Sequence, residues 1–104
     1  MRYKFTASAR RDVDRAARWW LENRPEAPTA LVDELAAALE QLCAHPESAP
    51  PYGTWRNRTV RRTYLPTTRR HLYFAPIDEI LIVLRVCGAE REHAPRFGKK
   101  STLS

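Results

Sequence analysis

Arg61 and Arg62, then Arg69, Arg70 and His71, then Tyr73 and Arg85 all fall in one stretch, 60–86, with Arg91 and His93 just beyond it. A guanidinium offers a planar fork of donors suited to phosphate or carboxylate oxygens, and imidazole is the side chain that changes charge near neutral pH. Period-two alternation puts Arg69, His71 and Tyr73 on one face of a strand and Arg70, Leu72 and Phe74 on the other. Arg61 and Arg62 point to opposite faces, so at most one of them belongs to any single site. Arg85 is the only charge in an otherwise apolar run. It either pairs with Glu79 or Glu90 at the strand end or serves as an anion ligand on an open sheet face. Taken one at a time, each arginine is most simply part of a solvated charged face. Other chemistry has no visible signature. Gly53, Gly88 and Gly98 are too far apart for a phosphate loop. No carboxylate pair or Ser/His/Asp order stands out, and His45 before Pro46 reads as a helix-end residue.

These groups need a frame, and the same stretch supplies it. VRRTYL, RRHLYFA and ILIVLRV are three β-rich runs separated by the short joints PTT and PIDE. The last run is apolar on both pleat faces, which predicts an interior strand flanked by the run before it and by an N-terminal strand. Residues 2–5 alternate basic and aromatic and form that N-terminal strand. Thr6 or Ser8 then caps a helix over 8–23, with Ala9, Val13, Ala16, Ala17, Trp20 and Leu21 on its apolar stripe and Trp19 half exposed at the edge. A second helix spans 26–44, with Pro25 and Pro28 near its first turn. Leu31, Leu35, Ala38, Leu39 and Leu42 face its core, widened by Val32, Ala36 and Cys43. The short joint predicts an antiparallel helical hairpin. Residues 45–57, rich in proline, read as a loop whose Tyr52 and Trp55 plug the core edge. About ten residues, 95–104, form a flexible tail. The predicted architecture is α+β in the order β-α-α-β-β-β: a helical hairpin on one face of a mainly antiparallel four-stranded sheet.

The 104 residues suit a single domain with one modest core. No apolar run approaches the ~20 residues of a membrane span, and the N-terminus has no signal-peptide pattern, so the cytoplasm is the default location and no membrane partner is expected. Cys43 and Cys87 read as small buried hydrophobes, not a disulfide or metal site, and no metal or other cofactor is expected. The net charge of +6 is one-sided: residues 1–50 hold seven basic and eight acidic side chains, residues 51–104 eleven and four. That excess favours acidic partners, nucleic acid among them. A plain nucleic-acid-binding domain would add aromatic residues such as Tyr64 and Tyr73 to the open sheet face.

FTASARRDVDRAARWW resembles the opening of RelE/ParE toxins, commonly FTxxAxxDLxxI. AHPESAPPYG, RRHLYFAPIDEILIVLRVCGAERE and the order of elements resemble that family too, over roughly residues 3–93. The family comprises toxins of bacterial type II toxin–antitoxin pairs, and its fold is the one predicted above. The resemblance implies an antitoxin whose flexible C-terminal segment orders across the toxin, as a helix in a groove beside the hairpin or as an added strand. It implies a hetero-oligomer with that antitoxin. Trp19, with Arg15 and Leu65, is the antitoxin surface it suggests. Two activities divide the family. ParE-like members block DNA gyrase without chemistry, which would use the basic face of Arg61, Arg62, Arg69 and Arg85. RelE-like members cut mRNA on the ribosome. That reaction would place Arg70 and Arg62 on phosphate, His71 or His93 on the proton and Arg91 on developing charge. Ala89 and Glu90, where RelE enzymes are usually basic, and the long hairpin make the sequence more ParE-like.

Overall fold

The computed structural model describes residues 1–88 and residue 97. The sheet has the order β1-β5-β4-β3-β2, built from β1 (Arg2–Phe5), β2 (Pro51–Trp55), β3 (Arg58–Leu65), β4 (Arg70–Ile77) and β5 (Ile80–Gly88). Between β1 and β2 in the chain lie α1 (Ala7–Asn23), α2 (Ala30–Ala44) and a short 3-10 turn, Pro46–Ser48. β1 pairs with β5 in parallel, and every other pairing is antiparallel. The α+β architecture and the interior position of the apolar strand, between the N-terminal strand and β4, match the sequence reading.

The sheet gains a fifth strand. β2 occupies part of the stretch expected to be a loop. Its one proline, Pro51, is tolerated because it opens an edge strand, where a missing N–H breaks no inner ladder, and the register shifts between Pro51 and Gly53. The β2–β3 and β4–β5 hairpins turn on Arg56–Asn57 and Asp78–Glu79, all four at positive φ, the backbone required by tight hairpin turns. The second helix is shorter than expected. Residues 24–29 form consecutive turns, with Ala27 N–H donating to the Arg24 carbonyl and Ala30 N–H to that of Ala27, so both prolines precede the helix.

Two apolar layers flank the sheet. On the helix side Ala9, Leu35, Leu39 and Leu42 pack on Leu72, Phe74, Leu81 and Val83. Val32 and Leu21, expected on buried stripes, are exposed instead at 50% and 63%. On the other side Val60, Tyr73, Ala75, Leu84 and Cys87 form a second cluster, with Tyr52, Trp55 and Phe97 against it. Cys43 is half-buried and Cys87 buried, with the Cys87 thiol 3.9 Å from Asp12 Oδ2.

Three tethers fix the helices to the sheet. Thr6 caps α1 by accepting from Ala9 N–H at 3.1 Å, and its hydroxyl donates to the Leu84 carbonyl at 3.1 Å. Glu34 on α2 accepts from the Thr67 and Thr68 amides at 2.7 and 2.9 Å and from the Thr68 hydroxyl at 2.7 Å, pinning the β3–β4 turn. Asp12 binds β5, as described below.

Candidate functional site

The arginines of 60–86 do not share a face. Arg62 lies on the open face, its guanidinium carbon 4.9 Å from the Tyr52 ring centroid and 6.0 Å from that of Tyr73. Arg61 pairs with Phe74 in the register, hence on the helix side, and donates to the Ala49 carbonyl at 2.6 Å. Arg69 is not in a strand: it sits exposed in the β3–β4 turn at φ 59°. Arg70 opens β4 on the helix side. Arg85 is bound to Asp12, with Nε donating at 2.7 Å and Nη2 at 3.2 Å. The expected pairing of Arg85 with Glu79 is therefore corrected, and so is its place in an open basic face; Glu90 lies outside the described residues. A continuous cationic sheet face does not form among the described residues, because alternation and the Asp12 pair distribute the charges.

Asp12 was not evident as a functional residue from its immediate neighbours. Its signal is a carboxylate three residues after Ala9 and four before Ala16, on the buried stripe of α1. The β4–β5 register runs Tyr73↔Arg85 then Phe74↔Val83, leaving Leu84 as an extra residue in a bulge. Just past the bulge, Asp12 also accepts from Val86 N–H at 2.9 Å. One carboxylate thus satisfies a strand amide and a guanidinium together. The hydrogen bond to Asp12 raises the Arg85 pKa against the lowering effect of burial.

Beside this pair lies a cleft of about 260 Å³. Asp12, Arg15, Ala16 and Trp19 of α1 form one wall, and Arg70 with the end of β5 at Val86–Gly88 forms the other. Arg70 Nε is buried and has no hydrogen-bond partner among the described residues. Burial lowers the Arg70 pKa, partly offset by the charge of Asp12. Trp19 is 45% exposed and packs edge-on against Trp20, centroids 5.6 Å apart. Arg15 is exposed. Leu65, grouped with them from the sequence, is only 2% exposed and belongs to the core. Its side chain offers no docking surface, since it faces the helices at the end of β3.

The open face is aromatic more than cationic. His71 sits between Tyr64 and Tyr73, centroids 5.4 and 6.1 Å away in T-shaped contacts. Burial first, and the Arg62 charge second, lower the His71 pKa. Phe97 covers part of this face, 5.4 Å from Tyr73 and 6.0 Å from Tyr52. Arg70 and His71 are thus brought to opposite sides of the sheet. Arg91, His93 and, apart from Phe97, the expected tail 95–104 lie outside the described residues. Among the described residues no group of three or more His, Cys, Asp or Glu could hold a metal ion, and no helix is long and apolar enough to cross a membrane.

Residues 3–93 match the family model of the ParE toxin of type II toxin–antitoxin systems, parDE. The chain belongs to the ParE toxin family. A chain of a solved structure described as the chromosomal ParDE TA system from P. aeruginosa superposes with a TM-score of 0.69 at 19% identity, covering 86% of this chain and 97% of that one. At that identity the likeness speaks for the fold. No curated protein matches the chain. For a ParE-family toxin the two surfaces above are the candidate sites: the cleft beside α1 and the open sheet face.

Proposed function

We propose that this toxin acts by non-enzymatic inhibition of DNA gyrase and is neutralised by an antitoxin bound along α1 and the cleft. The family match over residues 3–93 supports the gyrase reading. The observation that carries it is the placement of Arg70 across the sheet from His71, since a phosphate ligand and a proton carrier for RNA cleavage must meet at one scissile bond. The antitoxin reading draws on Trp19, a large aromatic side chain 45% exposed at the lip of a cleft, the kind of residue that anchors protein interfaces. The complex is then a hetero-oligomer in the cytoplasm.

Expression without antitoxin tests the target. Filamentation with DNA damage, and inhibition of gyrase supercoiling by the purified toxin, are the expected results. Immediate translation arrest with cleaved mRNA would instead support the ribosome-dependent RNase reading. One observation favours that second reading: His71, held below its ordinary pKa, stands between two tyrosines on the face that also carries Arg62.

A further inference from the structure

On the helix side of the sheet, the fold serves two of its guanidinium groups and leaves a third partly unserved. Arg61 has the Ala49 carbonyl and Arg85 has both oxygens of Asp12. Arg70 Nε is buried with no acceptor among the described residues. Asp12 lines the same cleft but is already committed: Oδ2 accepts from Arg85 Nε and Val86 N–H, and Oδ1 from Arg85 Nη2. Leaving a buried charged donor unmet is costly. Such a group in a cleft calls for an acceptor from beyond the described residues.

The cleft defines that acceptor. The Asp12–Arg85 pair is neutral as a unit, so Arg70 and Arg15 leave the cleft with surplus positive charge. Its volume of about 260 Å³ falls below the ~300–1,000 Å³ of sites for drug-sized ligands and suits one side chain. Arg15 and Trp19 are four residues apart on α1 and hence adjacent on its surface, which sets a cation beside an exposed aromatic surface at the rim.

We propose that the cleft receives a single carboxylate side chain of the antitoxin, held by Arg70 within and Arg15 at the mouth, while a neighbouring apolar antitoxin side chain lies on Trp19. This rests on the antitoxin-binding reading of α1 given above. A free carboxylate or phosphate would meet the same donors but leave Trp19 bare.

The test uses antitoxin recovered from the co-expressed complex and titrated onto free toxin by calorimetry. The toxin variants are Arg70→Gln, Arg70→Lys and Trp19→Ala. The antitoxin variants replace each Asp or Glu singly by Asn or Gln. Arg70→Gln is expected to weaken binding roughly tenfold or more, and one antitoxin carboxylate should show its loss only against wild-type Arg70. Arg70→Lys, which keeps the charge without the fork, should lose part of the affinity. The Tm of the free toxin should hold or rise in Arg70→Gln, because a buried unserved charge has been removed. Wild-type affinity in Arg70→Gln, a loss that couples to no single carboxylate, or a fall in free-toxin Tm overturns the proposal. If Trp19→Ala weakens binding while Arg70→Gln does not, the carboxylate site falls and the α1 surface stands. If neither weakens it, both fall.

Discussion

Asp12 and Arg85, 73 residues apart in sequence, meet through two hydrogen bonds of 2.7 and 3.2 Å. The pair closes α1 onto β5 at the bulge where the strand ladder is interrupted. Asp12 is 7% exposed and also holds the Val86 amide. Removing the carboxylate therefore strands a guanidinium and a strand amide at once.

Asp12→Ala is expected to destabilise the toxin by about 3 kcal/mol, a large share of the roughly 5–15 kcal/mol typical of a whole domain. Arg85→Met should cost less, because Asp12 keeps the Val86 amide and the Arg85 side chain is 29% exposed. Urea unfolding of both variants measures the difference. Equal losses would mean that the buried Asp12 carboxylate without its guanidinium costs as much as the stranded guanidinium and amide together.

The same pair marks how far the sequence is legible. Val83 in its apolar run and the helical spacing of Leu31, Leu35, Leu39 and Leu42 give strand, helix and core directly, because burial of one face imposes a period. Long-range pairing has no period. Asp12 sits on the apolar stripe of α1, but nothing local names Arg85 as its partner. The bulge at Leu84, which brings Arg85 toward the helix, depends on cross-strand register. β2 was hidden for another reason: Pro50, Pro51 and Gly53 are poor strand residues everywhere except at an edge, and edge position is a property of the finished sheet. The arginine-rich strands suggested one cationic face, whereas alternation and local partners divide Arg61, Arg62, Arg70 and Arg85 between two sides.

Acid should destabilise the fold in two steps. His71 is lowered by burial and by Arg62. For Glu34 burial alone would raise the pKa, but the hydrogen bonds from Thr68 and Thr67 outweigh it and hold the carboxyl below the usual range. In both cases the unfolded chain binds the proton more readily, so stability rises with pH across each window. The His71 contribution is complete above about pH 6.5 and is lost as pH falls below that value; the Glu34 contribution is complete above about pH 4.3 and is lost below it. Unfolding free energies measured from pH 7.5 to 3 should show His71→Gln flattening the upper step and Glu34→Gln the lower one. A wild-type profile without an upper step would mean that His71 titrates alike in both states.

Trp19 and Leu65 should separate binding from folding. Trp19→Ala is expected to change stability by no more than about 1 kcal/mol while weakening antitoxin binding roughly thirtyfold, as loss of an interface anchor does. Leu65→Ala removes a side chain that is 2% exposed, and should destabilise by about 2–5 kcal/mol with no selective effect on binding by the folded fraction. Thermal unfolding and calorimetry on the same preparations report both quantities. A Trp19 variant that binds antitoxin normally would move the interface away from α1.

Arg62 is the one arginine of the expected basic face that the fold sets over the open aromatic surface, against Tyr52 and Tyr73. Its cation–π contacts contribute about 1 kcal/mol, so Arg62→Ala should still fold. If the open face meets gyrase, this variant loses supercoiling inhibition several-fold while its antitoxin affinity, set on the opposite side of the sheet, stays unchanged. His71→Gln should leave inhibition intact, because surface contact without proton transfer does not need an imidazole. Under RNA cleavage the order reverses: His71→Gln abolishes toxicity, and Arg62→Ala reduces it through phosphate binding. Supercoiling assays and growth curves on the two variants distinguish these outcomes. Full gyrase inhibition by Arg62→Ala would place the target surface elsewhere on the toxin.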